Sequence, residues 1–267
     1  MSILDGVPSD AKLASIFRHV TFGSRPHCPR CGSSKIFRSE RRYRCPKCRK
    51  PFSLTSVSWL SGMKISYRDL WLLIVCWQRK VSFATTIQIT GLSPITVRRW
   101  FRRCRWNFAY MSPMLKAFVE ADESFHGKRR RGTERIALGA VERDAWKFVI
   151  RTSRKRDQEA TDRFLLAHVE KGATVATDEA HCYQGIDAFF GYRHVTCNHS
   201  KFVFGETNRI EAVWSALKRF IRRTYDHVHA GWLPDILREF EARTNAPEIF
   251  ESPLSFLENS LVAVPSR

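Results

Sequence analysis

The sequence predicts a three-module α/β protein: a small metal ribbon, then a set of helices, then a larger domain of alternating strands and helices. Three observations lead there. Two C-x-x-C knuckles stand near the N-terminus, Cys28-Pro-Arg-Cys31 and Cys45-Pro-Lys-Cys48. A helix, a short helix, a Gly-containing turn and a further helix follow, which is the helix-turn-helix pattern. Beyond residue 115 the order is three strands, helix, strand, short helix, strand and two helices, an α/β arrangement that opens on a three-strand meander.

Composition bounds the functional classes. The 267 residues suffice for about two domains. Lys and Arg total 45 against 26 Asp and Glu, so the formal charge is 45 − 26 = +19. That excess excludes an ordinary acidic metabolic enzyme and points to polyanionic partners. With 43% hydrophobic residues the chain buries a core and is not disordered. The longest apolar run, Leu70 to Trp77, is eight residues, far from the ~20 that span a bilayer. No basic start followed by an apolar stretch is present, so a cytoplasmic, nucleoid-associated protein without membrane partners is expected.

Residues 1–24 carry one amphipathic helix, Ala11 to His19, with Leu13, Ile16 and Phe17 on one face. Residues 25–57 form the ribbon. Each knuckle places two thiolates on one metal, and together they complete a tetrahedron that suits Zn²⁺, bound by Cys28, Cys31, Cys45 and Cys48. The 13 intervening residues hold two short strands, Lys35 to Arg38 and Arg41 to Arg44. A disulfide or redox pair is the alternative, and two matched knuckles without a secretion signal speak against it. Cys76, Cys104, Cys182 and Cys197 lack ligand spacing and read as buried free thiols.

Residues 62–110 form the helix-turn-helix. Ser66 caps the first helix, which runs through Trp77; the second covers Ser82 to Ile89. Gly91 makes the turn, Ser93 is the next N-cap, and Pro94 opens the third helix. That helix carries Arg98, Arg99, Arg102, Arg103 and Arg105, with Trp100 and Phe101 between them. The aromatics pack inward while the arginines meet phosphates or guanine edges of double-stranded DNA; a solvated basic face on a small bundle is the plainer reading.

Residues 115–247 form the α/β domain, and 248–267 a C-terminal tail. The strands are Phe118 to Ser124, Ile136 to Glu142, Trp146 to Thr152, Ala173 to Asp178 and Tyr192 to Asn198. The helices are Gln158 to Glu170, Tyr183 to Phe190, Thr207 to Arg223 and Pro234 to Thr244. Asp122 is placed at the end of the first strand and Asp178 at the end of the fourth, where ligands meet an open α/β sheet. Glu211 on the long helix is the third acidic candidate. Such an all-oxygen site suits Mg²⁺ or Mn²⁺, and two such metals catalyse phosphodiester chemistry. Basic stretches around it, Lys128, Arg129, Arg130 and Arg131, Arg151 to Arg156, and Lys218 to Arg223 including Arg222, draw in a nucleic-acid backbone.

At about 100° per residue, Glu211 and Lys218 lie about 20° apart, with Asn208 and Ser215 near the same line. Ile210, Trp214, Leu217 and Ile221 group beside them and pack on the sheet. An ordinary amphipathic surface helix fits that spacing equally well. Glu123 and Glu179 point to the opposite strand face from their neighbours and read as surface or supporting residues. His181, His194 and His199 read as structural histidines before phosphate binders, and Trp214 as core before a base-stacking platform.

The motifs Ala121-Asp122-Glu123-Ser124, Thr177-Asp178-Glu179-Ala180 with Tyr183, Asn198-His199-Ser200, and Thr207-Asn208-Arg-Ile-Glu211-Ala-Val-Trp214-Ser-Ala-Leu-Lys218-Arg resemble bacterial insertion-sequence transposases of the DDE superfamily. They are similar to the ISXO-like group, with an N-terminal zinc ribbon and an Asp-Asp-Glu/Asn-Lys signature. The resemblance implies an RNase H-like catalytic domain, a mixed five-stranded sheet flanked by helices. It implies metal-dependent strand cleavage and strand transfer at transposon ends by oligomers that pair those ends. Asp122 and Asp178 would bridge Mg²⁺ or Mn²⁺, Glu211 or Asn208 would complete the site, and Lys218 would position DNA. Glu206 stands where the family pattern usually has His. Two other functions remain open on these residues: a DNA-binding regulator with an inactive catalytic domain, and a nuclease that cuts without joining.

Four ionised thiolates and one zinc contribute −4 + 2 = −2, leaving about +17. The acidic residues would then form a small island in a basic path, repelling DNA unless a divalent cation bridges them.

Overall fold

Two units divide the chain, residues 1–109 with 248–267, and residues 110–247. The computed structural model describes residues 3–4, 6–39, 42–56, 58–127, 134–197, 207–226 and 228–261.

The first unit starts with α1 (Asp10–Phe22), where the Ser9 side chain accepts from the Lys12 N–H and Leu13 and Phe17 are fully buried. The ribbon follows as an antiparallel sheet of β1 (Phe37–Ser39), β2 (Arg42–Arg44) and β3 (Pro51–Phe52). The third strand is not expected from the sequence, because two residues carry no periodicity. Phe22, Tyr43 and Phe52 stack beside the knuckles and supply the ribbon's apolar side.

Three capped helices come next. Ser66 and Asp69 form a reciprocal capping box on α2 (Tyr67–Gln78), satisfying two N–H groups that the helix cannot. Ser82 caps α3 (Phe83–Thr90), and Gly91 ends it at φ 66°, a left-handed conformation that glycine adopts without a Cβ clash. Ser93 caps α4 (Pro94–Asn107), with Pro94 at its first position. The buried stripe of α4 is Val97, Trp100, Phe101, Cys104 and Arg105. Arg105 therefore departs from the expected basic face: it is 4% exposed, eight residues on from Val97 and on the same side.

The segment expected as a tail is helical instead. A helix over Pro253–Leu261 buries Phe256, Leu257 and Leu261 in the first unit. Its anchors are distant in sequence: Trp77 packs on Phe250 and Phe256, and the Gln78 amide donates to the carbonyls of Ile249 and Ser252 at 3.0 and 3.1 Å.

The second unit is a five-stranded sheet covered on both faces. Its strands are β4 (Phe118–His126), β5 (Arg135–Glu142), β6 (Phe148–Ser153), β7 (Thr174–Asp178) and β8 (Arg193–Cys197), in the order β6-β5-β4-β7-β8. The first three form an antiparallel meander, while β7 and β8 run parallel to β4. This is the RNase H-like arrangement. Between the parallel strands the chain crosses through α5 (Gln158–His168), then through α6 (Ile186–Phe190); it continues into α7 (Asn208–Thr224) and α8 (Leu233–Asn245).

One face of the sheet packs Val119, Ala121, Leu138 and Val175 against Phe164 and Leu165 of α5. The other packs Ala137, Val141 and Ile150 against Ile210, Trp214 and Leu217 of α7 and Leu237 and Phe240 of α8. Each such large apolar side chain contributes about 1.5–3 kcal/mol on burial. Strand β6 lies at the sheet edge, and α8 covers it with side-chain hydrogen bonds. Asn245 bonds both the N–H and the carbonyl of Phe148, and Glu241 accepts from the Ile150 N–H at 3.0 Å. An edge so occupied offers no template for another strand.

Candidate active site

Asp122 and Asp178 lie on the two central parallel strands. The β4–β7 pairing ends at Glu120 with Ala176, and each aspartate sits two residues beyond that last pair, where the strands part. Asp122 is thus near the middle of a nine-residue strand, not at its end as expected, because β4 continues to His126 by pairing with β5 alone. Asp178 does end β7. Strand alternation puts both carboxylates on the sheet face covered by α7.

Each is held by a donor. Trp214 Nε1 of α7 donates to Asp122 Oδ2 at 2.9 Å, and the Ala180 N–H donates to Asp178 Oδ1 at 3.0 Å. A carboxylate offers about four lone-pair sites, so these bonds orient the groups and leave ligating capacity. Trp214 is thereby both core, at 5% exposure, and a positioning residue. Its closeness to β4 depends on Gly139, the cross-strand partner of Asp122 on β5. A Cβ there would stand 2.5 Å from Trp214 Cη2 and 2.6 Å from Cζ2, so only glycine lets the indole lie flat beside Asp122.

A second contact fixes the start of α7. Thr207 gives no side-chain cap; instead the fully buried Glu120 accepts from the N–H groups of Arg209 and Ile210 at 2.7 and 3.1 Å. The Arg143 guanidinium pairs with its other oxygen at 2.9 Å. A carboxylate at a helix N-terminus satisfies orphan donors and favours the dipole. Glu120 and Trp214 together lock α7 to the strand that carries Asp122. No local pattern marks Glu120, whose partners lie about 90 residues on in sequence.

The third carboxylate beside the aspartates is Glu123. Asp122, Glu123 and Asp178 each offer an oxygen within 4.8 Å of the others. Glu123 points to the opposite face from Asp122, as alternation requires, but that face is covered too, and its side chain is 2% exposed. Tyr183 Oη donates to Glu123 Oε2 at 2.8 Å, and Arg156 pairs with Oε1. Burial, reinforced by the charges of Glu123 and Asp178, raises the Asp122 carboxyl to about 6. Three carboxylates so close together are an oxygen-only donor set that fits Mg²⁺ or Mn²⁺.

Glu211, Asn208, Ser215 and Lys218 are all exposed along one edge of α7, as their spacing predicts. The Glu211 carboxylate is not part of the group of three among the described residues. Burial, with the Lys218 ammonium adding to it, lowers the pKa of His126 on β4. Arg222 is exposed on the last turns of α7. Lys128, Arg129, Arg130, His199 and Glu206 lie outside the described residues. His194 bonds Thr177 Oγ1 at 2.8 Å, a structural role, and Glu179 is exposed.

The zinc ligands converge in the other unit. Zinc–sulfur bonds of about 2.3 Å give a tetrahedron with edges of about 3.8 Å. Cys28–Cys48 and Cys31–Cys45 sulfur separations are 3.7 and 3.6 Å, with all four sulfurs within 4.8 Å of one another. Gly32, at φ 71°, returns the first knuckle, its N–H bonding the Cys28 carbonyl. The Cys48 backbone N–H is the main donor that lowers the Cys45 thiol to about 7. The donors match a structural zinc site. Cys76, Cys104 and Cys182 are buried free thiols. On α4, Arg98, Arg99 and Arg102 are exposed and Arg103 half-buried; Arg102 stacks on the exposed Trp106 at 4.1 Å.

An RNase H-like sheet with paired aspartates where its central parallel strands part, and α7 locked over them, defines a metal-dependent enzyme of the DDE type. The ISXO2-like transposase domain model matches residues 113–245, and the transposase zinc-ribbon domain model matches residues 8–51. The chain belongs to this IS1595 family of DDE transposases, and a two-metal mechanism is implied by that family. No curated protein matches it in sequence.

Solved structures similar to the chain include three retroviral ones. A chain of the simian T-cell lymphotropic virus intasome, in complex with PP2A regulatory subunit B56 gamma, is 12% identical at TM-score 0.39, over 68% of this chain and 75% of that one. The HTLV-2 integrase catalytic core domain in complex with magnesium is 11% identical at TM-score 0.35, over 51% and 88%. The BIV integrase catalytic core domain is 11% identical at TM-score 0.36, over 49% and 84%. Among the described residues no helix is long and apolar enough to cross a membrane.

Proposed function

We propose that this transposase binds the terminal inverted repeats of its own insertion sequence, cuts a DNA strand there and joins it to target DNA. The observation that carries the reading is the pair Asp122 and Asp178, held by Trp214 and Ala180 with a raised Asp122 pKa. Asp122 and Asp178 hold the divalent metal, and Glu211 or Asn208 on the first turn of α7 completes its shell. When bound, Mg²⁺ or Mn²⁺ there activates an oxygen nucleophile and stabilises the leaving oxygen of a phosphodiester. Lys218 and Arg222 hold backbone phosphates along the α7 edge.

End recognition falls to residues 25–57 and 62–110, the latter acting as a helix-turn-helix. Arg98, Arg99, Arg102 and Arg103 on α4 contact DNA, and the basic segment with Lys128, Arg129 and Arg130 follows the backbone. The protein works in the cytoplasm at the nucleoid, as a homo-oligomer that pairs two ends. Purified protein incubated with its flanking ends and Mg²⁺ tests this: Asp122→Ala and Asp178→Ala should bind ends normally and cut none. Binding without any cutting by the unaltered protein would instead make it a regulator. Cut products that are never joined would make it a nuclease.

A further inference from the structure

The acidic group contains its own cation. Arg156 lies in the turn between β6 and α5, paired with Glu123, and its Nη2 stands 4.0 Å from Asp178 Oδ2. The anchor beneath it is built from buried parts. Glu123 is 2% exposed in its side chain, and its second oxygen is taken by the hydroxyl of Tyr183, itself buried. The guanidinium carbon lies 5.9 Å from the centre of the Phe125 ring. The Arg156 side chain is nevertheless 41% exposed.

Burying a carboxylate costs several kcal/mol unless it is paired, and the pairing here fixes one half-exposed guanidinium beside a catalytic aspartate. Guanidinium presents five donors in a rigid fork, and Glu123 occupies only part of it. What remains matches the geometry of a phosphate, for which Arg is suited to two-point binding. Charge balance alone does not require such rigidity, since a mobile lysine would neutralise Glu123 equally well.

We propose that Arg156 binds a phosphate oxygen of the DNA strand at the Asp122–Asp178 site, with Glu123 and Tyr183 as positioning residues that set its fork. The inference rests on the reading that this site acts on DNA. It assigns the phosphate next to the reacting centre to a residue outside the acidic and α7 motifs.

The test uses the full-length protein and a duplex oligonucleotide cut from the DNA flanking its gene. Binding is measured by fluorescence anisotropy across a salt series. Arg156→Gln should lower the slope of log Kd against log salt by about 0.9, the loss of one phosphate contact. Arg156→Lys should keep the slope. The Mg²⁺ affinity of the DNA-free protein, by calorimetry, should change less than about twofold in Arg156→Lys, which preserves the local charge. To exclude damage from an unpaired buried Glu123, the double variant Glu123→Gln/Arg156→Gln should show the same slope loss.

Tyr183→Phe should keep the slope but slow cleavage about tenfold, the worth of a charged hydrogen bond's alignment. Added to Arg156→Gln it should slow cleavage no further, because it acts through that residue. An unchanged slope in both Arg156→Gln variants overturns the proposal and leaves Arg156 as a counter-charge. Additive losses with Tyr183→Phe overturn the positioning role. The slope needs no cleavage, so failure of the unaltered protein to cut would count against the proposed function and not against this contact.

Discussion

Replacing Asp122 with Asn removes a charge but keeps the oxygen that Trp214 Nε1 bonds. In the unaltered protein, burial raises the carboxyl from 3.8 to about 6. At about 1.36 kcal/mol per tenfold, ionising it in the folded state costs about 3 kcal/mol, and about 2 kcal/mol if solvent relaxes the site. The sign follows from linkage. A raised folded pKa favours the folded state at low pH, and that advantage is lost as pH rises from 3.8 through about 6.

Asp122→Asn has no such loss. Without added Mg²⁺ it should exceed the unaltered protein by about 2–3 kcal/mol at pH 7.5 and by less than about 1 kcal/mol at pH 4. For a unit of this size that is a melting-temperature gain of roughly 6–10 °C for the catalytic-unit transition. Mg²⁺ should then stabilise the unaltered protein and not the variant, which has lost a ligand. The assay is paired thermal and urea unfolding at the two pH values. A variant no more stable at pH 7.5, or equally more stable at both pH values, would refute the claim that Asp122 is held ionised at a cost for metal binding.

Gly139→Ala should destabilise the catalytic unit by about 1–3 kcal/mol in urea and reduce Mg²⁺ affinity, because the new methyl displaces Trp214 from Asp122. Cys45→Ser should lower bound zinc below the one ion per chain that metal analysis should find, and a strong chelator should unfold the ribbon of the unaltered protein. Glu211→Ala should reduce strand cleavage by about 100-fold or more while Asn208→Ala reduces it less than about tenfold; the reverse order would give the third ligand to Asn208.

Most of the catalytic fold was legible because its elements obey simple periods. The α7 stripe of Ile210, Trp214 and Leu217 follows 3.6-residue spacing, and all three are buried on the sheet. The cysteine knuckles converge as their spacing requires. What escaped the sequence is what depends on distant partners. Glu120 looks like any charged residue on a strand until α7 arrives to be capped by it. Alternation puts Glu123 on the far face and reads it as surface or supporting; it does not say that Tyr183 and α5 cover that face and bury the carboxylate.

Composition groups Arg105 with its arginine neighbours, whereas its position in the helical repeat puts it inside. The helix over Pro253–Leu261 looks like a tail in the sequence because its apolar residues find their partners in Trp59 and Trp77, nearly two hundred residues earlier.

Metal-dependent strand transfer is the activity proposed for Asp122 and Asp178. The most direct measurement is a joining assay with purified protein, labelled flanking ends, supercoiled target DNA and Mg²⁺. Labelled ends should become covalently joined to target, and the joining should be lost in Asp178→Asn and without Mg²⁺. Joining that persists in Asp178→Asn, or proceeds without a divalent metal, would contradict it.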